Sequence, residues 1–420
     1  MSRNPGAGSD RLHALDAVRG FALLLGVFLH GAGAYIPNFA GWSISDDPSL
    51  VAASIFYVIH IFRMTTFFFL AGFFARLALE RKGARPFISD RLMRVLVPLI
   101  VAWPLIKPLM TGAAKYWGSV TAGTGALPYE LVTPFWGPGF TGPLAGFPWG
   151  HLWFLYMLLW FYAAALLLRW TVNLVDRGGL VGKGLDAVVA FLVKSHLAVV
   201  LLGLPFLAVV LTSADWQMYF GIPAPIFGLV PPEATLVGHG MAFGLGWFVH
   251  RQIPLIRVWE GTWWLYFAIA IGCSAACLWM IGPVPVLSFA TLDVKTAAYG
   301  VLYLTAAWAW TFALIGGALK FLSGYSAVRR YIADASYWIY LVHVPLVMAI
   351  HVWLSRFEIP SLAKYAITLC FTLAIVLATY QLLVRHSIIG RVLNGRRKSG
   401  GADGGGKGPT PSREPSPATT

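Results

Sequence analysis

Apolar runs of about twenty residues recur along this chain from one end to the other. A run of that length, wound as a helix, crosses about 30 Å of hydrocarbon at 1.5 Å per residue. Strands of a membrane barrel would be about ten residues of alternating character, so a β-barrel is excluded. Ten segments qualify, at roughly 17–37, 52–76, 92–110, 150–168, 190–213, 234–250, 262–282, 296–319, 334–354 and 361–384. Composition excludes a soluble enzyme: only 11 % of residues are charged and 58 % are hydrophobic, against about 25 % charged in a soluble domain. The expected fold class is all-α, a polytopic membrane bundle of about ten transmembrane helices. The 18 Trp suit interfacial belts, and three cysteines exclude a disulfide scaffold. The first run is read as a span and not as a cleaved signal, because it holds Arg19 and His30 and no small-residue cleavage site precedes a soluble remainder.

The net charge of +14 would suggest nucleic acid in a soluble protein. Its distribution says otherwise. With the N-terminus placed in the cytoplasm, most of the 31 Lys and Arg fall on the inner side, including Arg19, Arg76, Arg81, Lys82, Arg85, Arg91 and Arg94 and the basic residues after Val384. The outer side receives only Lys115, Lys295, Arg356 and Lys364. This asymmetry orients the bundle with both termini cytoplasmic, and sets nucleic acid aside. The partner it implies is a lipid bilayer.

Residues 1–393 are expected to form one membrane domain and 394–420, rich in Gly, Ser, Pro and Thr, a disordered cytoplasmic tail. An outer loop is expected over 111–149, with Trp117, Tyr129, Trp136 and Trp149, and a second over 213–233, with Asp215, Trp216 and Glu233. Loops as long as the first are usually functional or disordered. Its aromatics are equally suited to stacking on a sugar and to an interfacial belt. No repeat of fixed period and no matched pair of broken helices appears.

Ionisable side chains within spans are costly and usually face a cavity or a partner. His30, His60, Arg63 and His343 fall at similar depths on three segments. Singly, each is explained by bonds to a neighbouring helix; together they point to a polar cavity. Arg19 and His30 are eleven residues apart, which turns a helix to within about 20° of whole turns and climbs about 16 Å. One face thus carries a cation at the inner mouth and an imidazole farther in, which suits a ligand with an anionic head and a long arm. Asp16 reads as a helix N-cap. Arg91 and Arg94 stack at the start of the third span, where their forked guanidinium groups suit phosphate; lipid head groups and topology also account for them. His151 opens the fourth span on the outer side, and His239 and His351 also lie outward. Cys273 and Cys277 read as packing residues with no metal implied.

Leu15-Asp16-Ala17-Val18-Arg19-Gly20 with His30, then Arg91 and Arg94, then Ser336-Tyr337-Trp338-Ile339-Tyr340-Leu341-Val342-His343, resemble the acyltransferase-3 membrane family. Ile59-His60-Ile61-Phe62-Arg63-Met64 and His151-Leu152-Trp153-Phe154-Leu155 resemble, within it, the branch linked to succinylation of osmoregulated periplasmic glucans. The likeness covers about residues 12–390. The chain departs from the family at Ala71-Gly72-Phe73, where members often carry Ser, so no hydroxyl nucleophile stands there; nor does a membrane carboxylate pair with His30. The resemblance implies an O-acyltransferase of the bacterial inner membrane. It implies acyl-CoA, succinyl-CoA in particular, as donor substrate, no cofactor, and a periplasmic glucan or other extracytoplasmic polysaccharide as acceptor. Arg91 and Arg94 would hold the CoA phosphates, and the Arg19 face its arm. His30 would be general base or transient acyl carrier, with His343 and Tyr340 beside it and Tyr340 or backbone N–H groups facing the oxyanion. Arg63, oriented by His60, would meet the succinyl carboxylate, unless carbonyls of a neighbouring helix hold it. Two other classes remain: a proton-coupled transporter or exporter, and a partner in a glucan-synthesis complex with no chemistry of its own.

Overall fold

Two kinds of residue shape this bundle: glycines that let helices touch, and prolines that free carbonyls for neighbours. The computed structural model describes residues 6–39, 41–123, 146–213, 216–286, 290–291 and 293–394. Tyr129, Trp136, Asp215 and the tail beyond Asn394 lie outside them. In chain order the helices are α1 (Gly6–Gly31), α2 (Leu50–Lys82), α3 (Ala84–Arg91), α4 (Val97–Thr121), α5 (Trp153–Val175) and α6 (Leu180–Lys194). There follow α7 (Ala198–Leu201), α8 (Leu204–Thr212), α9 (Glu233–Arg251), α10 (Ile256–Ile281), α11 (Val294–Phe321), α12 (Ala327–Leu354), α13 (Ser361–Thr379) and α14 (Ile388–Asn394). No strand occurs among the described residues; one isolated bridge joins Pro148 to Phe227.

Among the described residues, eight helical segments are long and apolar enough to cross a membrane, nine if one bent pair counts as a single span. That bent pair replaces the span expected at 190–213. Its two halves meet at 109°, because His196 adopts a left-handed φ of 61° that no helix continues through. α9, the expected sixth span, carries Gly, His and Glu and is not apolar enough to qualify, yet its residues are mostly buried by other helices. α1 begins well before its apolar stretch, so Asp16 lies inside the helix and is not its N-cap. The third span runs on to Thr121, so Trp117 is helical and not in a loop.

Helix ends follow local chemistry. The side chains of Ser49, Asp293 and Ser326 accept from the backbone N–H groups of Ala52, Thr296 and Arg329 and cap α2, α11 and α12. Gly83, at φ 80°, makes the corner between α2 and α3. α2 and α9 touch backbone to backbone: a Cβ on Gly72 would stand 1.9 Å from the Phe243 carbonyl oxygen, and one on Gly246 1.9 Å from that of Phe69. Glycine is therefore required at both, as in close helix crossings within membranes. Gly316 does the same against Trp259 where α11 meets α10.

Candidate active site

Proline inside a helix removes the N–H that would serve the carbonyl four residues back. Pro345 thereby frees the Leu341 carbonyl of α12, and His151 Nε2 donates to it at 3.2 Å. The Tyr340 hydroxyl returns a bond to the His151 carbonyl, 2.8 Å. This reciprocal clamp seats the turn 150–152 against α12. Pro98 likewise strips the intrahelical donor from the Arg94 carbonyl, and the Tyr337 hydroxyl supplies one. The chain widens there into a π-helical turn, Leu92–Leu96, a device common at functional sites. Neither effect is read from the sequence above, although Pro98, four residues after Arg94, is a readable signal.

His30 and His343 meet where these elements converge. His30 Nδ1 is 3.0 Å from His343 Nε2, and His343 Nδ1 is 2.9 and 2.8 Å from the carbonyls of Ile339 and Tyr340. Carbonyls only accept, so His343 carries its proton on Nδ1 and, when neutral, accepts at Nε2. His30 must then donate from Nδ1, which leaves its Nε2 with the free lone pair. No acid is needed to set this tautomer; a second imidazole does it. His343 is 2 % exposed. α1 ends at Gly31, one residue beyond His30.

Two neighbouring cavities share a wall here, and the smaller one reaches the pair. A basic one of about 480 Å³ is lined by Arg19, Arg81, Lys82, Arg91, Arg94 and Arg330, among others. A smaller one, about 40 Å³, is lined by His30, Arg63, His151 and His343, among others. That is room for a few waters or the end of an acyl chain. Leu23, Phe67, Phe154 and Tyr340 stand in the walls of both. At the edge of the basic cavity Asp90 gathers three of its lining cations, Arg91 at 2.6 Å, Arg94 at 3.1 Å and Lys82 at 3.2 Å. Arg19 pairs with Asp16 at 3.1 Å and lies over Phe74. Arg330 pairs with Asp334 at 3.2 Å, and the three aspartates hold the cations in place without matching their number. Asp90 was not singled out from sequence; its spacing of four from Arg94 was the available sign.

Arg63 lies against α1, where a Cβ on Gly26 would stand 3.0 Å from its Nη1 and 3.6 Å from His343 Nε2. Gly26 is the space the guanidinium occupies. Arg63 Nε has no hydrogen-bond partner, and no carboxylate pairs with Arg63 among the described residues.

Of the residues proposed from sequence, Arg19, Arg91 and Arg94 share one cavity and His30, Arg63, His151 and His343 the other, with Tyr340 between. His60 is not among the lining residues: it stacks on Phe56 and meets Phe220 edge-on. The Tyr340 hydroxyl is engaged by the His151 carbonyl, so facing an oxyanion requires it to leave that bond. His239, placed outward by its sequence position, is 2 % exposed and stacked between Phe68 and Trp153, beside the small cavity. Among the described residues no group of three or more His, Cys, Asp or Glu is poised for a metal.

A helical membrane bundle with a tautomer-fixed histidine pair in a small cavity that adjoins a cation-lined one suits a membrane transferase. A family described as acyltransferase domain, acyltransferase-3, matches residues 12–381; the chain belongs to that family and is a membrane acyltransferase. It is similar to the glucans biosynthesis protein C of Salmonella paratyphi B, Salmonella dublin and Salmonella enteritidis PT4. Each is 22 % identical over 421 residues, covering 92 % of this chain and 96 % of the relative. No solved structure matches the chain.

Proposed function

We propose that this protein moves a succinyl group from cytoplasmic succinyl-CoA to a hydroxyl of an extracytoplasmic glucan, in the bacterial inner membrane. The observation that carries the reading is the lone pair of His30 Nε2, fixed by His343 beside the basic cavity. CoA phosphates sit among Arg91, Arg94 and Arg19, where forked donors are available. The pantetheine arm runs along Leu23 and Phe67, and the thioester reaches the small cavity. Arg63 meets the distal carboxylate, which in so apolar a place is costly without a charge partner; the absence of an acidic partner for Arg63 among the described residues supports this.

The acceptor hydroxyl gives its proton to His30 Nε2 as its oxygen attacks the thioester carbonyl. His30, now cationic, keeps its Nδ1–H bond to His343. The tetrahedral intermediate collapses, the carbon–sulfur bond breaks, and His30 returns the proton to the departing thiolate. The products are the sugar ester and free CoA. The name of the similar Salmonella proteins, glucans biosynthesis protein C, supports the acceptor class.

Purified protein given labelled succinyl-CoA and glucan should form labelled ester, and His30→Ala should lower that rate by about 10²–10⁴ while inserting normally. A His30→Ala variant of near-native rate would remove the base, and movement of glucan without consumption of acyl-CoA would make the protein a transporter.

A further inference from the structure

The connection between α1 and α2 folds back over the end of α1 and lays an indole on the candidate base. Asn38, at φ 54°, makes the turn, which Asn tolerates better than most residues. The Asp46 N–H donates to the Ala34 carbonyl at 2.8 Å and the Ser49 N–H to that of Tyr35 at 2.7 Å. Trp42 then stacks on His30, with centroids 5.8 Å apart and planes 24° apart. A Cβ on Gly33 would stand 2.7 Å from Trp42 Cδ2, so the indole rests on bare backbone.

One side-chain hydrogen bond orients Trp42. Its Nε1–H donates to His351 Nδ1 at 3.2 Å. His351 therefore carries its proton on Nε2, which donates to the Gly31 carbonyl at 3.0 Å. In the same connection, four residues after Trp42, the Asp46 carboxylate accepts from Lys364 Nζ at 2.8 Å through both oxygens, and Lys364 is 2 % exposed. Trp42 lines neither cavity. Along α1 the basic cavity is lined by Asp16, Arg19 and Leu23 and the small one by Leu23, Gly26 and His30; the indole packs beyond them, on His30 and Gly33.

We propose that Trp42 is the acceptor-side gate of the site, latched by Asp46 and Lys364, which keeps water from the acyl donor until a sugar displaces the indole. The proposal rests on the acyl-transfer reading. An acyltransferase that binds its donor first faces a competing reaction: water takes the place of the sugar hydroxyl, gives its proton to His30, and yields free carboxylic acid and CoA. Excluding water from the loaded site suppresses such side reactions. An indole face is also a surface on which a pyranose ring can pack once the gate swings, so the same residue positions the acceptor.

The test is the ratio of donor hydrolysis to transfer, with succinyl-CoA as probe and glucan present or absent. Trp42→Ala should raise succinyl-CoA hydrolysis without glucan roughly tenfold, and raise the KM for glucan more than that for succinyl-CoA. Trp42→Phe, which keeps a ring over His30, should stay close to native in both. Where Trp42→Ala folds poorly, Asp46→Asn combined with Lys364→Met unlatches the connection without stranding a charge and should raise hydrolysis in the same direction. Hydrolysis and transfer falling together in the well-folded variants would make Trp42 structural and overturn the gate. Wild type that transfers no acyl group would instead overturn the acyl-transfer reading beneath it.

Discussion

The two ends of the bundle handle charge in opposite ways. At the basic end, cations outnumber carboxylates around a cavity of about 480 Å³, and their pairs are partly exposed: Arg19 with Asp16, and Arg94 with Asp90. At the opposite end, among the described residues, the Lys364–Asp46 pair is largely withdrawn from solvent, and bonded aromatics such as Tyr57 with Tyr299, 2.7 Å apart, fill the space. Spare positive charge beside open volume serves binding of an anion, whereas a matched, dry pair fixes one conformation. The difference suits the basic end to a charged ligand and, on the gate proposed above, the opposite end to one closed conformation that an acceptor has to displace.

The contrast is broken most severely at the sealed pair. Asp46→Asn leaves Lys364 buried without its counter-charge, which costs about 3–5 kcal/mol, whereas Arg94→Gln at the basic end should change stability by about 1 kcal/mol or less. Thermal unfolding of the two variants in the same detergent checks this, and equal shifts would erase the distinction. Where the two regions meet, Arg63→Met removes the cation assigned to the succinyl carboxylate. Succinyl transfer should fall relative to acetyl transfer by about 10–100-fold, the scale of a charged hydrogen bond; parallel losses with both donors would make Arg63 structural. At the basic end, Arg91→Gln with Arg94→Gln should raise the donor KM about tenfold with less effect on kcat, as for contacts equal in ground and transition states. A donor KM that does not move would assign those arginines to lipid and topology.

Much of this was legible in the chain. Apolar length located the helices, and the eleven-residue spacing of Arg19 and His30 placed both in the walls of adjoining cavities. What escaped was set by azimuth and by backbone exceptions. His60 and Arg63 are three residues apart, yet Arg63 turns to α1 while His60 slots between Phe56 and Phe220; helical spacing gives height on one helix, not the identity of the facing neighbour. The break at His196 depends on one residue's φ, and apolar length reads straight through it. Trp42 lies in a non-periodic connection, where no pattern reports what it covers. The His30–His343 pair joins residues 313 positions apart; their similar depth was readable, their hydrogen bond was not.

The central claim is that an acyl group enters at the basic end and leaves on a sugar at the other. Sealed proteoliposomes of defined orientation can test it directly, with labelled succinyl-CoA confined to the basic side and glucan to the opposite side. The account expects labelled ester on the glucan and free CoA on the donor side, both lost in His30→Ala. Ester formed only when donor and glucan share one side, or no ester at all, would contradict it.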